Sequence, residues 1–194
     1  DQASIDLAKE KGPCPDAEEY GIMERFSNKT AVAPTASISI ICGGSSPGIE
    51  PIAANVYAHK TLSGTFTVRN RHLKILLQEK NQDNDDVWLS ILSNGGSVQH
   101  LDFLSEHEKD VYKTAFEIDQ RWLIDLAGDR SEMIDQAQSL NVFLPADSDK
   151  AYLHEVHYSA WKKGVKSLYY CRSLSLQRAE NSSNQPTKID VKTL

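Results

Sequence analysis

Apolar and polar residues follow two rhythms along this chain, and the switches between them mark out the elements. From Arg71 to Gln82 (RHLKILLQEKNQ), Leu73, Leu76 and Leu77 fall at helical spacing. From Asp85 to Leu92, Trp88, Ile91 and Leu92 share a face, and Asn94-Gly95-Gly96 stops that helix. The stretch from Lys113 to Asp129 carries Phe116, Ile118, Trp122, Leu123 and Leu126 and predicts a long helix. Asp149 to Lys163 predicts another, with Leu153, Val156, Ala160 and Trp161 inward and Gly164 as its cap. Shorter helices are expected over Ser4 to Lys11, ended by Gly12-Pro13, and over Asp16 to Arg25, weakened by Gly21. Ser105 with Glu108 three residues later is a capping-box signature for a helix starting near Glu106.

The strand rhythm appears between these helices. Asn55 to Asn70 (NVYAHKTLSGTFTVRN) reads as a hairpin around Ser63-Gly64. Ser139 to Leu144 is a short strand ended by Pro145, and Val165 to Arg172 (VKSLYYCR) a buried one. Thr30 to Ala33 is a further buried strand, because Pro34 biases the residue before it toward extended geometry. Strands separated by helices, with one hairpin, give an α/β layout. No internal repeat is visible. The composition turns polar after Ala179, which divides the chain into a domain over 1–179 and a polar tail or linker over 180–194.

Between the first strand and the hairpin lies a stretch of small residues, AVAPTASISIICGGSSPGIEP from Ala31 to Pro51. Small side chains let a bound group approach the backbone. If the chain turns helical at Thr35–Ser37, unpaired N–H groups and two hydroxyls make an anion cradle. The competing reading is a simple N-cap at Thr35 or Ser37 followed by an ordinary Gly/Ser/Pro loop. The spacing matches neither a Walker nor a dinucleotide fingerprint.

Composition narrows the function classes. The chain has 194 residues, 40% hydrophobic and 25% charged, as in soluble globular folds. Its net charge of -6 argues against a nucleic-acid groove or an anionic membrane as the main partner. No apolar run approaches the roughly 20 residues of a membrane span. Cys14, Cys42 and Cys171 are odd in number and widely spaced, suggesting neither a disulfide framework nor a zinc knuckle. A reducing cytoplasm is therefore the expected setting. The first residue is Asp1 rather than Met, the expectation for a processed product or the second part of something longer.

Three groups of residues invite a chemical reading. His154 and His157 lie three apart on a helix, but no third ligand accompanies them, so they read as a solvated face. Asp83, Asp85 and Asp86 lack calcium-loop spacing and read as a solvated turn. Tyr169-Tyr170 is packing on one reading and redox on the other, since neighbouring phenols can pass on an oxidising equivalent. Side chains alternate across a regular strand, so stacked Tyr169 and Tyr170 rings require a local break in it.

Two of these signals combine. The Pro34-Thr35-Ala36-Ser37 loop with its Gly48-Ile49-Glu50-Pro51 turn, and the later Gly164-Val165-Lys166-Ser167-Leu168-Tyr169-Tyr170, resemble the large catalytic subunit of class I ribonucleotide reductases. The same resemblance is carried by Gly12 to Asp16, Tyr20 to Arg25, Tyr57 to Gly64, Phe116 to Trp122 and Gln136 to Asn141, and it extends to Arg178-Ala179. It implies the C-terminal part of a ten-stranded α/β barrel, incomplete without a partner chain. By resemblance, Pro34, Thr35, Ala36, Ser37 and Ile38 hold the phosphates of a ribonucleoside diphosphate. Tyr169 and Tyr170 are the radical-relay pair, Tyr170 facing the small subunit and Tyr169 lying beside the catalytic cysteine.

The family's remaining chemistry does not appear in this sequence. A thiyl cysteine that abstracts the 3′ hydrogen, its Asn-x-Cys-x-Glu loop and two reducing cysteines precede the region matched, and Cys14, Cys42 and Cys171 do not correspond to them. The family's C-terminal cysteine pair and N-terminal allosteric module are likewise missing. The resemblance therefore implies one piece of a split large subunit, encoded separately or released by processing or intein excision. Its expected partners are the N-terminal part of that subunit, a radical-generating, metal-containing small subunit and the diphosphate substrate. Thioredoxin or glutaredoxin supplies reducing equivalents, and no cofactor is expected on this chain itself. The alternative is a non-catalytic remnant that binds nucleotides or the small subunit.

Overall fold

In the computed structural model of the chain, residues 1–43 and 45–173 are described, and the expected polar tail over 180–194 lies outside the described residues. Two apolar cores organise what is described. The first is built on the hairpin of β1 (Val56–Thr61) and β2 (Gly64–Arg69), antiparallel with Tyr57 opposite Val68. Behind it pack α4 (Arg71–Glu79) and α5 (Asp85–Ser93), and its buried residues include Val56, Leu73, Leu77, Trp88, Ile91 and Val98. Asn70 caps α4 by accepting the His72 and Leu73 N–H groups. Buried Asn55 ties this core together, since its side-chain amide donates to the Gly96 and Tyr112 carbonyls and accepts from Asn70. Gly96 is required there: at φ 87°, a Cβ would lie 2.3 Å from that of Ala54.

The second core lies between α7 (Gln120–Ser131) and α8 (Lys150–Lys162), closed by β3 (Val142–Leu144). Leu123, Ile124 and Ala127 face Leu140, Val142, Val156, Ala160 and Val165. The buried side chain of Gln120 accepts the Phe143 N–H and donates to the Ala115 and Ile118 carbonyls, which fixes the start of α7 against β3. β3 pairs in parallel with β4 (Cys171–Ser173), and Val32 forms a parallel bridge to Gln138. Three extended segments thus run side by side in one direction. The remaining helices are α1 (Gln2–Lys11), α2 (Pro15–Glu19), α3 (Ala36–Ile41) and α6 (Glu106–Val111). Among the described residues, no helix is long and apolar enough to cross a membrane.

Several elements depart from the sequence reading, each for a local reason. The helix expected from Lys113 begins only at Gln120, because Asp119 caps it and Glu117 turns back to accept the Thr114 N–H. Trp122 and Leu126 point outward, being 65% and 55% exposed, and Trp161 is 72% exposed. The inward stripes are Leu123, Ile124 and Ala127 on α7 and Val156 and Ala160 on α8. The helix expected to reach Arg25 stops at Glu19, with Gly21 at φ 67°. Thr30 to Ala33 is exposed except for half-buried Val32, which makes its one bridge, and is not a buried strand. Val165 is buried, but regular pairing starts only at Cys171.

Candidate functional site

The two tyrosines sit where the parallel ladder gains a residue. Tyr169 N–H donates to the Leu140 carbonyl at 2.8 Å, and Val142 N–H donates to the Tyr170 carbonyl at 2.9 Å. In a regular parallel ladder, both bonds would flank one residue. Here Tyr169 and Tyr170 together oppose Asn141, a bulge, and the alternation that would send their side chains to opposite faces is broken. Their ring centroids lie 4.2 Å apart with planes tilted by 54°. Both rings are about half exposed, at 51% and 55%. A hydrogen bond with Tyr170, reinforced by the proximity of that phenol, raises the Tyr169 pKa above its ordinary value. The Arg172 guanidinium lies 5.8 Å from the Tyr170 ring centroid, on the cation-attracting face of the ring.

Bulging the strand leaves the Tyr170 N–H without a main-chain acceptor. The side-chain carbonyl of Asn141 takes it at 3.0 Å. Asn141 is in turn held by Glu50, whose carboxyl accepts the Asn141 main-chain N–H at 2.6 Å and its side-chain NH2 at 3.0 Å. Glu50 and Asn141 are 6% and 8% exposed.

Glu50 belongs to the turn that closes the small-residue stretch. Thr35 occupies the N-cap of α3 in the left-handed region (φ 49°, ψ 29°), an outlier for a β-branched side chain. Its Oγ1 accepts the Gly48 N–H at 2.7 Å, so its side chain anchors the turn instead of capping its own helix. The first N–H groups of α3 therefore have no side-chain cap. Thr35 is half-buried, while Pro34, Ala36, Ser37 and Ile38 are exposed. Segment 34–38 and the tyrosine pair are thus joined by one chain of contacts: Thr35 to Gly48, then Glu50, Asn141 and Tyr170.

A cleft of about 400 Å³ beside the pair is lined by Trp161, Lys166, Tyr169 and Cys171, among others. A second, of about 360 Å³, is lined by residues that include Phe116, Asp119, Phe143 and Tyr152. Neither is lined by 34–38. His157 bonds the Leu153 carbonyl through Nδ1, His154 stacks on Tyr158, and Asp83 accepts the Trp88 indole N–H. Among the described residues, no three His, Cys, Asp or Glu side chains are grouped to hold a metal ion, and Cys14, Cys42 and Cys171 are free thiols. Sequence reasoning singled out neither Glu50 nor Asn141. The available signal was a lone carboxylate between Gly48-Ile49 and Pro51, in a turn whose other side chains are apolar.

Residues 15–171 match the family model described as ribonucleotide reductase, barrel domain. The chain is 49% identical over 188 residues to the ribonucleoside-diphosphate reductase large subunit of Invertebrate iridescent virus 6, covering 95% of this chain and 19% of that protein. It is 43% identical over 196 residues to the large subunit of Invertebrate iridescent virus 3, covering 100% and 31% respectively. Among solved structures, it is similar to the Actinobacillus ureae class Id ribonucleotide reductase alpha subunit, with a TM-score of 0.77 and 38% identity over 95% of this chain and 32% of that one. The chain therefore spans less than a third of the length of these relatives. By this match, the chain belongs to the ribonucleotide reductase barrel-domain family.

Proposed function

We propose that this chain is part of a ribonucleoside-diphosphate reductase large subunit and supplies two devices to it: the substrate-phosphate loop Pro34–Ile38 and the radical-transfer pair Tyr169–Tyr170. Other large-subunit sequence supplies the catalytic cysteines and completes a ten-stranded barrel. A small subunit supplies the radical from its metal centre, and thioredoxin or glutaredoxin the reducing equivalents. The observation that carries the reading is the bulge that brings the tyrosine rings to 4.2 Å.

In the forward step, a Tyr170 phenoxyl radical takes one electron and one proton from the Tyr169 phenol. Tyr170 is restored, and the Tyr169 phenoxyl then takes a hydrogen atom from a cysteine thiol, leaving a thiyl radical. The close approach of the two rings gives the electron and the proton a short path from one phenol to the other. At the other device, the uncapped N–H groups of α3 and the Ser37 hydroxyl face the anionic end of the substrate.

Tyr169→Phe tests the relay in enzyme reassembled from this chain, the rest of the large subunit and the small subunit. Nucleotide reduction is expected to be abolished while diphosphate binding stays near that of the parent. Normal turnover in the variant overturns the relay. A parent enzyme that binds diphosphate and small subunit yet never turns over leaves the non-catalytic remnant in its place.

A further inference from the structure

The polar side chains of Lys166, Arg172 and His157 around the tyrosine pair are exposed, and exposed groups hold a geometry loosely. Two others are not. Glu50 and Asn141 lie away from solvent, and each polar atom of the joint between them faces one complementary partner. Glu50 Oε1 accepts the Asn141 N–H, Glu50 Oε2 accepts the Asn141 NH2, and Asn141 Oδ1 accepts the Tyr170 N–H. The last bond answers the N–H that the bulge orphaned, so the bulge is stable only while Asn141 presents its carbonyl in that direction. The amide has two orientations, and the Glu50 carboxyl, accepting at both oxygens, selects one of them. Glu50 sits two residues from Gly48, which Thr35 anchors.

We infer that Glu50 and Asn141 are positioning residues that set the Tyr169–Tyr170 pair in register with the 34–38 loop. The inference rests on the relay and phosphate-loop reading above and adds to it a residue pair that touches neither the substrate nor the radical. Glu50 acts through the orientation of Asn141, and Asn141 through the main chain of Tyr170. The device also connects the two sites: a shift of the 47–50 turn reaches the tyrosines through three hydrogen bonds.

The substitution Glu50→Gln is nearly isosteric, yet it places an NH2 against one of the two Asn141 donors. Turning the Asn141 amide over relieves that clash but sets its NH2 against the Tyr170 N–H. One donor–donor conflict remains in every arrangement. In the double variant E50Q/N141D, the introduced carboxylate accepts from both the introduced amide and the Tyr170 N–H, and every donor again has an acceptor.

The experiment has two readouts. In the reassembled enzyme, E50Q is expected to lower kcat by roughly tenfold to a hundredfold, the rate equivalent of one lost charge-assisted hydrogen bond. The KM for diphosphate stays unchanged, and E50Q/N141D recovers kcat. In this chain alone, an NMR titration of Tyr169, assigned with Y169F, is expected to shift down toward the ordinary tyrosine value in E50Q and to return in the double variant. An E50Q protein with parent kcat and an unmoved Tyr169 titration overturns the inference, even where Y169F is inactive and the relay stands. If Y169F turns over normally, the relay falls, and the titration still decides the positioning role. Where E50Q alone does not fold, the double variant carries the test: folded, with Tyr169 back at the ordinary value, it overturns the inference.

Discussion

Asp119 receives the guanidinium and the main-chain N–H of Arg121 together with the Tyr152 hydroxyl. The Arg121 side chain is the largest influence, outweighing partial burial, and lowers the Asp119 pKa from 3.8 to about 2. The folded chain thus binds fewer protons here than the unfolded chain between about pH 4 and pH 2. The stabilisation is complete above the unfolded value and is lost as pH falls through the folded one. Solvent reaches the pair and screens it, so the effect is modest. Urea midpoints measured between pH 4 and pH 2 should fall less steeply in Asp119→Asn than in the parent, and equal slopes would remove Asp119 from the acid response.

At the level of elements, what was legible in the sequence was what is local. Ser105 and Glu108 form the capping box in both directions, and the hairpin turns at Leu62-Ser63, one residue before the Ser63-Gly64 expected, because each depends on residues a few positions apart. The helix in Lys113–Asp129 was legible in kind but not in onset, since the apolar periodicity does not show that Asp119 caps it and that Glu117 turns back on Thr114. Trp161 was misplaced, and the outward Trp122 and Leu126 could not be told from the inward Leu123, because α7 and α8 carry apolar residues on more than one face and periodicity does not say which face meets the core. The bulge illustrates the same limit. Tyr169-Tyr170 was visible as a pair and its need for a broken strand was derivable, but the extra residue exists only in the pairing with Leu140–Val142. Glu50 and Asn141 stayed hidden for this reason, being 91 positions apart.

Across the whole molecule, the two cores share no buried residue. Trp88→Ala should cost about 3–5 kcal/mol and Ile124→Ala about 2–5 kcal/mol, the range for emptying buried sites of these sizes. Because the cores are separate, the double variant should lose the sum within about 0.5 kcal/mol in denaturant titrations. A coupling much larger than that would show that the cores unfold through shared contacts. Family membership was legible at this scale because motifs from both halves of the chain contribute to it. The Thr35 anchor was not legible: a threonine at left-handed φ has no sequence signature, and the small-residue stretch offered only an anion cradle or a simple N-cap before an ordinary loop.

The joint between Glu50 and Asn141 holds no cation among the described residues. Dissolved salt loosens contacts between exposed charges, over a screening distance of about 8 Å at physiological strength. The Arg121 lattice with Asp119 and Glu155 is open to it. A buried joint made of directional bonds is screened far less. Raising sodium chloride should slacken that surface lattice while the Tyr169 titration holds still, so the alignment of the two phenols would be indifferent to ionic strength.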